Sequence, residues 1–211
     1  MNKAKGMKFW SSVLLFGALW GIAEATVGYV LHFLPSLIAG SIMFPFAGVI
    51  LYYVHKKTNR LDAMLMTGIV AAAIKGVNLL MPQYSIFKTI NPMISIVFES
   101  LMVTVFVGLF VSSKKKTLFY ALPIASIAWR LLYVGYMGLQ YAATDFLAAQ
   151  LQSFGAMMSF VVLEGLISAA LAIGLGLAVA GIKKNNPMHV RLRLSYSLLT
   201  VALAIALTIL L

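Results

Sequence analysis

Seven apolar stretches run through the chain, separated by short polar or proline-bearing gaps. A helix needs ~20 apolar residues to cross a bilayer. The pattern predicts six spans at 9–34, 37–54, 61–81, 92–113, 117–143 and 155–182, and a shorter hydrophobic segment at 195–211. Pro35 and Pro82 bound the first and third spans, and Pro92 falls in the first turn of the fourth, where a missing N–H is harmless. Pro45 and Pro123 lie inside the second and fifth, where proline removes a helical hydrogen bond and favours a kink. The first run is too long for the apolar region of a signal peptide and reads as a retained span. The expected fold class is therefore all-α: a polytopic membrane helical bundle of six core transmembrane helices plus a seventh, C-terminal hydrophobic segment. Residues 1–184 form the expected bundle, and 185–211 a basic link followed by that segment.

Composition narrows the reading. Hydrophobic residues make up 62% of the 211 and charged residues only 10%, against roughly 25% in a soluble domain. This excludes a soluble enzyme and a disordered tail. The formal charge of +11 would ordinarily suggest nucleic acid. However, 13 of the 16 Lys and Arg residues sit at the N-terminus and in alternate gaps: Lys3, Lys5, Lys8; Lys56, Lys57, Arg60; Lys114 to Lys116; Lys183, Lys184, Arg191, Arg193. The other gaps hold only Lys88 and Asp145. That asymmetry is the positive-inside pattern, and it predicts a cytoplasmic N-terminus in a multi-pass membrane protein that contacts lipid rather than nucleic acid; the expected location is a prokaryotic plasma membrane.

Five charges fall inside predicted spans: Glu24, Lys75, Glu99, Arg130 and Glu164. Each is costly in hydrocarbon unless paired or wetted, so each should face an interior cavity. At 1.5 Å per residue, Glu24, Lys75, Glu99 and Arg130 lie ~20 Å from the basic side and Glu164 ~27 Å from it. Five helices thus place charge at one level, as expected of a single polar chamber open to the outside. On the fifth span Ser126, Arg130, Tyr133, Met137 and Gln140 share a face by steps of three and four. Lys75 shares a face with Asn78, and Glu99 with Ser95. On the first span Gly17, Gly21, Glu24, Gly28 and His32 form a stripe whose small residues admit a neighbouring helix. Trp20, Tyr29, Trp129 and Tyr136 are candidate aromatic walls. The competing reading is that two Glu–Lys75 and Glu–Arg130 pairs simply fix helix packing, but three acids against two bases leave one carboxylate over. Residues 93–101 echo 158–166, each with glutamate in seventh place, though four identities in nine positions do not establish a duplication.

The chain has no cysteine, no two-histidine zinc helix, no Glu-x-x-His di-iron motif and no phosphate-cradling glycine loop. No catalytic residue, cofactor or metal is expected.

The length, the six core helices, the orientation and the outward polar chamber together resemble the substrate-binding S components of energy-coupling factor transporters, over residues 1–184. That resemblance implies capture of a vitamin, cofactor precursor or metal, with a separate transmembrane scaffold and two ATPase subunits as partners. It implies that a small-residue stripe on the first helix, here Gly17, Gly21 and Ala25, contacts the scaffold. It further implies that the segments after the first, third and fifth helices, with Pro35 and Ser36, Gln83, Tyr84 and Asn91, and Thr144 and Asp145, help close the site. The expected function is substrate capture for uptake of a small polar solute. The binding set is Trp20, Glu24, Lys75, Asn78, Glu99, Trp129, Arg130, Tyr133 and Glu164. Alternative readings are a self-sufficient proton- or cation-coupled transporter and a membrane enzyme acting on lipid.

Overall fold

The computed structural model describes residues 3–31, 36–81, 86–110, 117–185 and 193–211. His32, Pro35, Gln83 and Tyr84 lie outside them. The described chain is an all-α bundle: α1 (Lys3–Leu31), α2 (Ser36–Thr58), α3 (Asp62–Gly76), α4 (Ile86–Phe110), α5 (Thr117–Thr144), α6 (Phe154–Met158), α7 (Glu164–Asn185) and α8 (Leu194–Leu210). A 3-10 turn at Val77–Leu80 extends α3, and a second at Ala149–Leu151 lies between α5 and α6. A π-helical turn at Ser159–Leu163 joins α6 to α7, so the two form one continuous rod. Five helical stretches among the described residues, Gly6–Leu31, Asp62–Leu80, Ile86–Phe110, Phe119–Thr144 and Phe154–Val179, are long and apolar enough to cross a membrane. Leu131, Leu139, Leu166 and Leu199 face outward from α5, α7 and α8, the surface expected of an integral membrane protein.

The rods close into a ring in the order α1, α3, α4, α5, α7, α2 and back to α1. Small residues set the closest approaches. A Cβ on Gly17 would meet Val70 Cγ1 at 2.6 Å, and one on Gly21 would meet Ile74 at 3.0 Å. The Gly17 and Gly21 positions of the α1 stripe are thus occupied by α3 within the chain. Toward its C-terminal end α2 enters the ring: Phe44, Ala47, Leu51 and Val54 pack against Met64, Val103, Leu122 and Ala172 as a solid apolar core. α8 lies along α1, where Ala204 meets Ala18 and Ile74, and Ser197 Oγ donates to Ser11 O at 2.8 Å.

Helix ends follow local chemistry. Asn59 (φ 54°) and Asp145 (φ 57°) adopt the left-handed conformation after α2 and α5. Their amides return to His55 O at 2.7 Å and Tyr141 O at 2.9 Å. Short polar side chains tolerate that geometry. His55, Lys56 and Lys57 in the last turn of α2 complement its dipole and carry the helix past the apolar limit expected at 54. Arg60 pairs with Asp62 across the turn into α3. At α4 the helix begins six residues before Pro92, so the proline stands inside it, not in its first turn.

Candidate functional site

The end of the ring opposite this apolar core contains a cavity of about 210 Å³. Its wall is built from late α1 (Glu24, Gly28, Leu31), early α2 (Met43), late α3 (Lys75), early α4 (Pro92, Ser95, Ile96, Glu99), α5 (Trp129, Tyr133), the 3-10 turn (Gln150) and the α6–α7 rod (Phe160, Glu164). Four of the five charges predicted to converge therefore do so, from four different helices.

Each carboxylate is held differently. Glu99 is 4% exposed; Ser95 Oγ, one turn earlier, donates to its Oε1 at 3.0 Å, while Oε2 is buried with no hydrogen-bond partner. Glu24 accepts from Trp20 Nε1 at 3.2 Å, again one helical turn away. Glu164 begins α7 directly after the π turn. A π turn carries one more residue than an α turn, and such turns recur at functional sites because they rotate the next side chains to a new direction. Lys75 lines the same cavity. Among the described residues it stands more than 4 Å from every carboxylate, since the ion pair within that limit is Arg60–Asp62. The Glu–Lys75 pairing considered from sequence is not formed as a direct salt bridge.

Three rings cover one side. Trp129 lies 5.9 Å from Tyr133 and 5.9 Å from Phe160, and Tyr133 lies 6.0 Å from Phe160. Trp129 Nε1 is buried without a hydrogen-bond partner.

Three expected site residues take other positions. Arg130 is fully buried and absent from the cavity wall. Its Nη1 donates to Ser126 O at 2.8 Å and to Ser126 Oγ at 2.9 Å, and its Nη2 donates to Ser168 Oγ at 2.7 Å. Each hydroxyl passes its own proton on: Ser126 Oγ donates to Gly165 O at 2.9 Å and Ser168 Oγ to Ser41 O at 3.0 Å. Ser41 lies four residues before Pro45, so its carbonyl lacks the usual helical donor and the α7 serine supplies one. The guanidinium also lies 4.6 Å from the Trp129 ring centroid and 5.6 Å from that of Phe160. Arg130 therefore ties α5, α7 and α2 together beside the cavity. Asn78 lines a smaller pocket of about 50 Å³ between α1, the α3 extension and α8, which shares Glu24 and Lys75 with the main cavity. Trp20 is fully buried behind Glu24 and lines neither space.

The cavity also has walls that sequence reasoning does not reach. Met43 and Phe160 carry no polar signal, and Gln150 sits in a segment whose pattern reads as plain loop. Tyr136 donates to Asn91 Oδ1 at 2.9 Å, linking α5 to α4 outside the lining set. Comparison with known proteins gives no matching family model, no matching characterised protein and no matching solved structure.

Proposed function

We propose that this chain is a membrane-embedded capture protein for a small polar solute, binding it rather than transforming it. The observation that carries the reading is the cavity itself: about 210 Å³, walled by Glu24, Lys75, Glu99 and Glu164, with Glu99 Oε2 and Trp129 Nε1 buried and unsatisfied. Such atoms cost roughly 1–3 kcal/mol each when left unpaired, and a ligand or water repays that. A pure packing device would have closed its charges on one another.

The basic gaps support a cytoplasmic N-terminus, and in that orientation the cavity lies in the outer half of the membrane, facing the solute supply. Energy for release comes from partner ATPase subunits through a scaffold, as the energy-coupling factor resemblance implies. Since α3 fills the Gly17–Gly21 stripe, the scaffold docks on a different surface.

Native mass spectrometry of the gently extracted protein tests the capture role. A retained small molecule, lost in Glu99→Gln, is the expected result. A clean apo mass from every preparation, with no binding of polar solutes, would refute it.

A further inference from the structure

Resting on that capture reading, we infer that the solute is a compact organic cation with a flat ring, seated with its charge among Glu24, Glu99 and Glu164 and its ring against Trp129, Tyr133 and Phe160. Charge sets the sign. The wall carries three carboxylates and one ammonium, Lys75. The other buried cation, Arg130, is held just outside the wall by the neutral oxygens of Ser126 and Ser168 and keeps its charge, so three acids face two bases. An anionic ligand would add a further acid to a chamber whose three carboxyl groups already outnumber its two bases. A cation reduces the imbalance, while Trp129, Tyr133 and Phe160 line the space beside the carboxylates and offer apolar surface to a flat ring.

Geometry separates an organic cation from a metal ion. Among the described residues no three His, Cys, Asp or Glu side chains lie close enough to hold one metal. The carboxylates stand on α1, α4 and α7 without converging on one point, so a group with several N–H donors suits them better than a bare ion. The space is small, about 210 Å³ against the ~300 Å³ at which drug-sized pockets begin, which suits a compact ligand. Two unsatisfied atoms add detail. Glu99 Oε2 calls for an N–H donor on the charged group, and Trp129 Nε1 calls for an acceptor on the ligand.

The test uses three isosteric probes on the purified full-length protein: benzylammonium, benzyl alcohol and benzoate, each read by thermal unfolding and calorimetric titration. Benzylammonium is expected to raise the melting temperature in a dose-dependent way, and the neutral and anionic probes are not. Glu99→Gln should weaken benzylammonium binding by about tenfold or more, the size of one lost charge-assisted hydrogen bond. Leu139→Ala, on the outward face, should leave it unchanged. If Glu99→Gln does not fold, discrimination among the probes by the unaltered protein decides alone. Equal or stronger binding of benzoate or benzyl alcohol overturns the inference. So does an anionic or neutral molecule found in the native mass spectrum, though that result leaves capture standing. No retained mass and no response to any probe removes the capture role and this inference with it.

Discussion

Gly68 on α3 faces α4 at a close crossing. A Cβ placed there would lie 2.2 Å from both Cβ and Oγ of Ser100. Carbon atoms rest at about 3.5–4.0 Å, so Gly68→Ala must part the two helices by roughly 1.5 Å. Ser100 is fully buried, and while its Oγ can rotate, its Cβ is fixed to the backbone and no rotamer change moves it away. Overpacking of this kind costs about 1–3 kcal/mol, and this site belongs at the upper end. Alanine recovers about 1 kcal/mol of helix propensity. The net loss of about 2 kcal/mol corresponds to a fall of about 4–8 °C in melting temperature for a chain of this size. Because α3 carries Lys75 and α4 carries Ser95 and Glu99, the same displacement spreads the cavity wall and should weaken ligand binding. Tryptophan fluorescence during heating in a single detergent measures the first effect. Ser100→Gly removes both atoms that clash, so the double variant should melt above Gly68→Ala alone, with a favourable coupling of about 3 kcal/mol, the whole of the relieved clash. Gly68→Ala melting at or above the parent temperature, or a strictly additive cycle, would refute the crossing geometry.

Arg130→Lys should lower stability by about 1.5–3 kcal/mol in the same melting assay, since one ammonium cannot span Ser126 and Ser168 as the planar fork does. Ser168→Ala should act in the same direction, and an unchanged melting temperature in both would remove the clasp role. Ser197→Ala should cost about 0.5–1.5 kcal/mol by deleting the bond to Ser11 O. Hydrogen exchange should then quicken along α8 while α4 stays protected, and uniform exchange throughout would show that α8 does not depend on that contact.

Hydrophobic patterning made the helices and the level of the charges legible, because the bilayer imposes both: apolar length fixes a span, and rise per residue fixes depth. The face shared by Ser126, Arg130, Tyr133, Met137 and Gln140 is buried along its whole length, as helical periodicity requires. Depth does not report which side of a face a long side chain takes. Glu99 and Arg130 stand at the same expected level, yet one lines the cavity and the other turns to serines on its own and a neighbouring rod. That choice depends on the carbonyl uncovered by Pro45 and on the position of Ser168, residues 123 places apart in sequence. The π turn before Glu164 was equally hidden, since the glutamate keeps the spacing of its counterpart in the 93–101 segment while the backbone beneath it changes. Ring order was not readable either, because every rod is apolar on its outer face.

That ring order has a consequence for biosynthesis. The rod of α6 and α7 is the piece that joins α5 to α2, and it emerges from the ribosome after both. Until it arrives, Arg130 keeps only its bonds to Ser126, and the face of α5 that α7 covers stands open to the insertion machinery or lipid, where an arginine costs ~2.5–3.5 kcal/mol. Nascent chains stalled before residue 164 should therefore stay associated with the translocon or be cleared by membrane proteases, leaving only full-length copies to persist.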